Sequence, residues 1–179
     1  YIYDDGSTYM GMFEDGKKNG EGMYVYTDGS TYIGNFMDGN MHGEGEFTFS
    51  NGSVYTGEFE NGEMHGRGVY NYHDGAMYEG EFKDGLRSGE GVFQLDSGDE
   101  YSGIFKDGVL NGSGTWGGNN GDKYTGNFQD GMFHGQGTYI NAGGSEYIGE
   151  FIEGMKDGFG TYIVSGSSDN GKYVGELKD

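Results

Sequence analysis

From Tyr55 to Met77 the chain reads YTGEFENGEMHGRGVYNYHDGAM, and its ring-bearing and polar positions alternate in two runs. Tyr55, Gly57 and Phe59 fall on one face of an extended strand, Thr56 and Glu58 on the other. Asn61-Gly62 has the chemistry of a tight hairpin turn. Gly66, Gly68, Tyr70 and Tyr72 then recur at every second residue. Asp74-Gly75 turns the chain back to Tyr78, where the pattern restarts. One copy predicts strand, turn, strand, turn: a β-hairpin with a connector.

The copy recurs along the chain. Its leading tyrosine stands at Tyr9, Tyr32, Tyr55, Tyr78, Tyr101, Tyr124 and Tyr147, always 23 residues apart, and Tyr173 follows an insertion within 165–172. Of the 41 glycines, only Gly117, Gly118, Gly143, Gly166 and Gly171 fall outside the repeat columns. A flexible glycine-rich linker would hold no register. The aromatics agree, since only Phe133 and Phe159 stand outside theirs. Glycine within a strand marks close approach by another group. Gly34, Gly57, Gly80, Gly103 and Gly126 share a face with tyrosine and phenylalanine. A ring from a neighbouring strand is therefore expected to lie where each Cβ would be.

Composition fits a repeat array better than a compact core. Hydrophobic residues make up 32% of the chain, half of them aromatic. Stacked hairpins need no central core, because each buries its face against its neighbours. Glycine recurs too often for helices, at about 1 kcal/mol for each interior position. One irregularity stands out: Leu95, Gly118, Asn141 and Val164 replace the ring carried by Tyr26, Phe49 and Tyr72. The run Trp116–Gly121 reads as a poor strand, and a stronger bend or twist is expected there.

The candidate chemistry is thin. Glu58, Glu81, Glu150 and Glu176 form one carboxylate column, and Glu21, Glu44 and Glu90 another. Adjacent units would space them by roughly 9–10 Å, near the range of an acid–base pair. A pattern repeated without one special pair reads instead as a solvated polar face. His42, His65 and His134 share a column, but without cysteine or a further histidine they make no zinc set, and a turn-closing hydrogen bond is expected of them. Gly20-Glu21-Gly22 lacks the following helix of a phosphate loop. No catalytic residue, metal site or cofactor is expected. The net charge of -20, with pI ≈ 4.2, argues against nucleic acid, whose affinity comes from Lys and Arg on phosphates.

The motif Tyr-x-Gly-x-Phe-x-(Asp/Asn)-Gly-x-x-x-Gly-x-Gly, recurring every 23 residues, resembles the MORN repeat (membrane occupation and recognition nexus). The resemblance implies an all-β fold: an elongated, single-layer twisted antiparallel sheet of stacked β-hairpins. It would be one array over 1–179, with about seven units from Tyr9 and partial units at 1–8 and 173–179. At two strands per unit it would span roughly 65–70 Å. The chain opens in the second strand of one unit and closes in the first strand of another, as expected of a piece of a longer array.

The resemblance also implies a scaffold, cytoplasmic and placed in cytoskeletal or membrane-proximal assemblies, that holds a partner protein or peptide along a groove and in some members forms homodimers. The groove is expected over Tyr32, Phe36, Tyr55, Phe59, Tyr78, Phe82, Tyr101, Phe105, Tyr124 and Phe128, with hairpin-tip contacts from Met41, Met64, Leu110 and Phe133. The alternative is that the rings cover one another and leave only their edges. The outer strands, Tyr1–Tyr3 and Tyr173–Leu177, could pair end to end as salt screens their acidic flanks. Two other classes are a phospholipid-binding module and the regulatory arm of an enzyme. The sequence departs from the family in carrying Phe where many members have Trp. Its tips are mostly uncharged, only Lys17-Lys18, Arg87 and Lys156 being basic, which weakens the lipid reading.

That weakness can be measured. With a net charge of -20, no co-sedimentation with phosphatidylserine or phosphoinositide vesicles is expected at physiological salt. Binding that disappears as salt rises would reverse the expectation.

Overall fold

The chain is described by a computed structural model covering residues 1–166 and 171–177. Fifteen strands follow one another in chain order in an open antiparallel sheet, and there is no helix among the described residues. Seven-residue leading strands alternate with nine-residue returning strands: β1 Thr8–Glu14 and β2 Lys17–Val25, β3 Thr31–Met37 and β4 Asn40–Thr48, β5 Val54–Glu60 and β6 Glu63–Asn71, β7 Met77–Lys83 and β8 Leu86–Gln94, β9 Glu100–Lys106 and β10 Val109–Gly117, β11 Lys123–Gln129 and β12 Met132–Ile140, β13 Glu146–Ile152 and β14 Met155–Ile163, with β15 Lys172–Leu177 last. Two compact units divide the chain, Tyr1–Ser88 and Gly89–Asp179, and both are built from this hairpin.

The hairpin turn is as the sequence predicts. Asn61 and Gly62 hold φ of 52° and 92°, and Asp15 and Gly16 hold 48° and 77°. Positive φ at both central residues is the turn whose twist matches that of the strands.

The register contains a bulge that alternation alone hides. Gly57 pairs with Gly68 but Phe59 with Met64, so two steps along β5 match four along β6. Gly66, at φ 57°, absorbs the excess. The same shift recurs in β1–β2, β3–β4, β9–β10, β11–β12 and β13–β14.

A tyrosine sits over the bulge in each of these pairs except β9–β10. The Tyr55 ring folds back over the Gly57–Gly68 pair, where a Cβ on Gly68 would meet its Cε2 and Cζ. Its hydroxyl donates to the Glu58 carbonyl at 2.9 Å and reaches the His65 carbonyl at 3.3 Å. Tyr9, Tyr32, Tyr78, Tyr124 and Tyr147 likewise donate to the carbonyls of Met12, Asn35, Glu81, Asn127 and Glu150. The ring over Gly57 therefore comes from its own strand, two residues earlier, and not from a neighbouring one. What the neighbour brings is backbone: a Cβ on Gly57 would stand 2.5 Å from the Arg67 carbonyl oxygen and from Gly68 Cα. Gly34 and Gly126 are covered in the same way by Tyr32 and Tyr124, whereas at Gly103 the nearest side chain is Leu110.

Phenylalanines lock these rings edge to face. Tyr32 lies 5.0 Å from Phe36 on its own strand and 4.9 Å from Phe59 of the next hairpin, with interplanar angles of 89° and 78°. Tyr55 repeats this with Phe59 and Phe82, and Tyr124 with Phe128 and Phe151. Such contacts are worth about 0.5–1.5 kcal/mol each beyond the burial of area.

Both ends of the hairpins are laced to the next. At the turns, Gly39 N–H donates to the Lys18 carbonyl and Gly62 N–H to that of Met41, each at 2.9 Å. At the connectors, Tyr26 N–H donates to Ser30 and Gly29 N–H to Tyr26, closing a three-residue loop with Gly29 at φ 89°. Ser30 Oγ then accepts the Ser50 N–H at 3.0 Å, and Ser53 Oγ the His73 N–H at 3.0 Å. Asp99 and Asp122 do the same for Asn119 and Ala142 in the second unit.

The run Trp116–Gly121, a poor strand by its sequence, divides at Gly117, the end of β10, and 118–121 lie outside the strands. Trp116 and Gly117 keep regular pairing with Tyr101 and Glu100 on one side and with Tyr124 and Lys123 on the other. Gly118 and Gly121 close the ordinary connector, donating to Asp122 and Gly118. The loop is set by Gly121 and by Asn120 Oδ1, which accepts the Asp122 N–H. Trp116 lies over Gly118.

Two measurements test this packing. Gly57→Val is expected to lower the melting temperature by an amount equivalent to about 1–3 kcal/mol, despite valine's strand propensity, because its Cβ meets backbone that cannot move aside. A variant that melts with the parent would refute the close approach. The second concerns alkali. Burial pushes the Tyr32 and Tyr78 phenols up to about 12 from 10.0, and Tyr55 further. A folded-state value above the unfolded one gives stability that is present in full below pH 10 and lost as pH rises towards 12. The melting temperature should therefore fall steeply over that window, together with the appearance of tyrosinate absorbance. A melting temperature constant across it would show that folding does not hold these phenols neutral.

Candidate functional site

The two faces of the sheet differ in what they leave open. On the ring face the leading tyrosines and phenylalanines are sealed: Tyr32, Tyr55, Tyr78 and Tyr124 are 0% exposed, and Phe36, Phe59, Phe82, Phe105 and Phe128 are at most 4% exposed. Tyr101 alone among the expected groove residues is half-buried. The sequence reading placed partner contacts on these rings. In the structure these rings fill the glycine gaps and cross one another, the alternative arrangement, and leave little open surface beyond that of Tyr101 and the edge of Phe59 that lines a groove beside Met41 and Met64.

What remains open on this face is the second pair of rings. Tyr26, Phe47, Phe49, Tyr70 and Tyr72 are half-buried and form a run of close contacts, with Tyr26–Phe47 at 5.5 Å, Phe47–Phe49 at 4.5 Å, Phe49–Tyr70 at 5.4 Å and Tyr70–Tyr72 at 4.3 Å. Sequence alternation put them on this face, and their place beside the connectors leaves them half-open.

The tip residues follow the register too. The bulge sets Lys18, Met41, Met64, Leu110, Phe133 and Lys156 opposite the phenylalanines. Met41 and Met64 are half-buried walls of an open groove of ≈ 340 Å³ in the first unit, floored by Tyr26, Phe47, Phe49 and Phe59 and rimmed by Glu63 and Asp84. Leu110 and Phe133 differ from the expected contacts. Leu110 is 3% exposed, filling the place beside Gly103 and Gly114, and Phe133 stacks on Tyr124 at 3.9 Å and 12°. Leu110 is taken up by internal packing, and Phe133, half-buried, is held against Tyr124.

Where the tip residue is a lysine it lies over rings. Lys18 Nζ is 4.1 Å from the Tyr24 centroid and 5.0 Å from Phe36. Lys156 Nζ is 4.9 Å from Tyr139 and 5.3 Å from Tyr147. Partial burial lowers the Lys18 pKa, yet the ring quadrupoles favour the ammonium. The ring face thus accommodates cationic side chains by its own chemistry.

The opposite face holds the glutamate columns. Glu44 and Glu58 stand directly across β4 and β5 from each other. Both are exposed, and the hollows beside them are open to solvent. His65 Nε2 lies 3.4 Å from Glu60 Oε2 across the hairpin turn. Among the described residues, no three His, Cys, Asp or Glu converge as a metal set. This face is not wholly polar as the carboxylate columns suggest: Met10, Met12 and Ile33 are 76%, 62% and 51% exposed there.

No curated protein matches the chain. Among solved structures it is similar to the SAS-4 (dCPAP) TCP domain of Drosophila melanogaster in complex with a proline-rich motif of Ana2 (dSTIL). The identity is 11%, the TM-score 0.52, and 88% of this chain and 85% of that chain are covered. It is also similar to the TCP10 domain of Danio rerio CPAP in complex with a peptide of STIL, at 15% identity and TM-score 0.38, over 93% and 83% of the two chains. At such identity the first likeness is one of fold, and the second adds nothing to it. The MORN repeat model matches residues 9–31, 32–54, 55–77, 78–100, 101–123, 124–146 and 147–168, each match but the last running from one leading tyrosine to the residue before the next; the chain belongs to the MORN-repeat family.

Proposed function

We propose that the chain is a non-enzymatic scaffold that holds a partner protein or peptide along its ring face, in a cytoplasmic, cytoskeletal assembly. The observation that carries this reading is the groove between Met41 and Met64, floored by Tyr26, Phe47 and Phe49. Half-exposed rings in a row give large apolar contact at little entropic cost, and methionines adapt to what they meet. An extended, proline-rich segment suits such a floor, since its conformation is set before it binds. The fold shared with a TCP domain whose structure carries a proline-rich motif supports that choice. The acidic rim of Glu63 and Asp84, and the chain's own Lys18 and Lys156 over rings, favour a segment that also bears Lys or Arg. The sealed tyrosines and phenylalanines act as the wall behind the site.

A hydroxyl deletion such as Tyr55→Phe is a poor probe of binding, because that hydroxyl is spent on the Glu58 carbonyl. Phe49→Ser and Met64→Ser change the groove alone. A labelled peptide of repeated Pro-Pro-Arg is expected to bind the parent, and each variant to weaken it by about tenfold. A Pro-Pro-Glu peptide should not bind. Equal binding by parent and variants, or none by the parent, would overturn the reading.

A further inference from the structure

The face opposite the groove carries a second, differently built depression in the first unit. An open hollow of ≈ 600 Å³ is lined by Met10, Met23 and Ile33, with Glu21, Glu44 and Glu46 around them. Register explains its shape. Met10 pairs with Met23 and Met23 with Ile33, so the three make an apolar row across β1, β2 and β3. Ile33 pairs in turn with Glu46 on β4. The paired glycines Gly22, Gly34 and Gly45 run beside this row. Their missing Cβ positions point to the ring face, where Tyr9 and Tyr32 occupy them, and on this side they leave bare backbone.

The charge around the row has no internal answer. Among the described residues Glu21, Glu44 and Glu46 form no ion pair; the pairs present are Lys17–Asp38 and His65–Glu60. Glu44 faces Glu58 directly across the strands, and like charges in that position destabilise a sheet. Glu58 turns one oxygen to the Arg67 N–H, and Glu44 remains beside a row in which Met10 and Ile33 are exposed and Met23 half-buried; a cationic partner would offset the repulsion.

We propose that this hollow is a second docking surface, separate from the ring-face groove, and that its occupant is a Lys/Arg-rich amphipathic helix of a partner protein. The apolar row spans two strand spacings, about 10 Å, which matches the width of one helix. Apolar residues at i, i+3 and i+4 rest on Met10, Met23 and Ile33, and methionine fits its shape to such a helix. Basic residues on the helix flanks reach Glu21, Glu44 and Glu46. With a segment in the groove and a helix on the back, the sheet joins two partners through its two faces.

The probe is a labelled Leu/Lys peptide with helical amphipathic spacing, compared with an isomer of identical composition whose leucines are scattered. Anisotropy is read at about 0.15 M salt, where long-range attraction between exposed charges is screened. The amphipathic isomer should bind the parent, and the scattered isomer at least about tenfold more weakly. The double variants Met10→Gln/Ile33→Gln and Glu44→Gln/Glu46→Gln should each weaken binding by about tenfold. Asp107→Asn/Asp130→Asn removes the same charge at hairpin turns, where Asn61 shows that asparagine fits, and should leave binding unchanged. Phe49→Ser should also leave it unchanged, which separates this site from the groove. Glu44→Gln alone should raise the melting temperature while weakening the peptide, a combination that unfolding cannot produce. Equal binding of the two isomers, equal loss in the turn variant, or no binding by the parent would each overturn the proposal.

Discussion

The structure depends on one contact: a tyrosine ring laid over a pair of glycines that face each other across two strands. Gly57 and Gly68 approach so closely that a Cβ on either would meet backbone or ring within 2.5 Å. The Tyr55 ring fills the gap, and its hydroxyl satisfies a carbonyl at the bulge. Neither half is sufficient alone. Glycine without the ring would leave a loose strand, and the ring without glycine would have no place to lie. The buried phenols answer to the same arrangement, since water is excluded and their neutral form is favoured.

Stability in such a sheet is local and repeated. Tyr9, Tyr32, Tyr55 and Tyr124 are each braced by a phenylalanine of their own strand and one from the next hairpin, so rings shared between neighbouring hairpins replace the central core of a globular domain. Hydrogen bonds at the turns and the connectors tie successive hairpins at both ends. Backbone pairing alone would leave the register free to slip. The bulge, the ring above it and the two lacing points fix it.

This economy divides the labour of the two faces. The rings that hold the fold are sealed. The two proposed docking surfaces are made by residues displaced from that role: Tyr26, Phe47 and Phe49 beside the connectors, Met41 and Met64 at the tips, and Met10, Met23 and Ile33 on the back. Substitution within one column changes what a position contributes to the surface without altering the fold. The tip position reads Lys18, Met41, Met64, Arg87, Leu110, Phe133 and Lys156: Lys18, Arg87 and Lys156 lie over rings, Met41 and Met64 wall a groove, Leu110 packs inside and Phe133 stacks on Tyr124.

Periodicity by itself determined the hairpins, their turns, the order of the strands and the face on which each ring stands. It could do so because side-chain direction in a strand has a period of two and turn chemistry is local. Three things were decided by tertiary structure. The bulge at Gly66 is a mismatch between two strands, and one strand's alternation does not contain it. The exposure of a ring depends on what else reaches it, so Tyr55 and Phe49, alike in the sequence pattern, end sealed and half-open. The apolar row of Met10, Met23 and Ile33 is assembled from three strands and is scattered along the chain. Each is a relation between strands, set by register and by the crowding of neighbours.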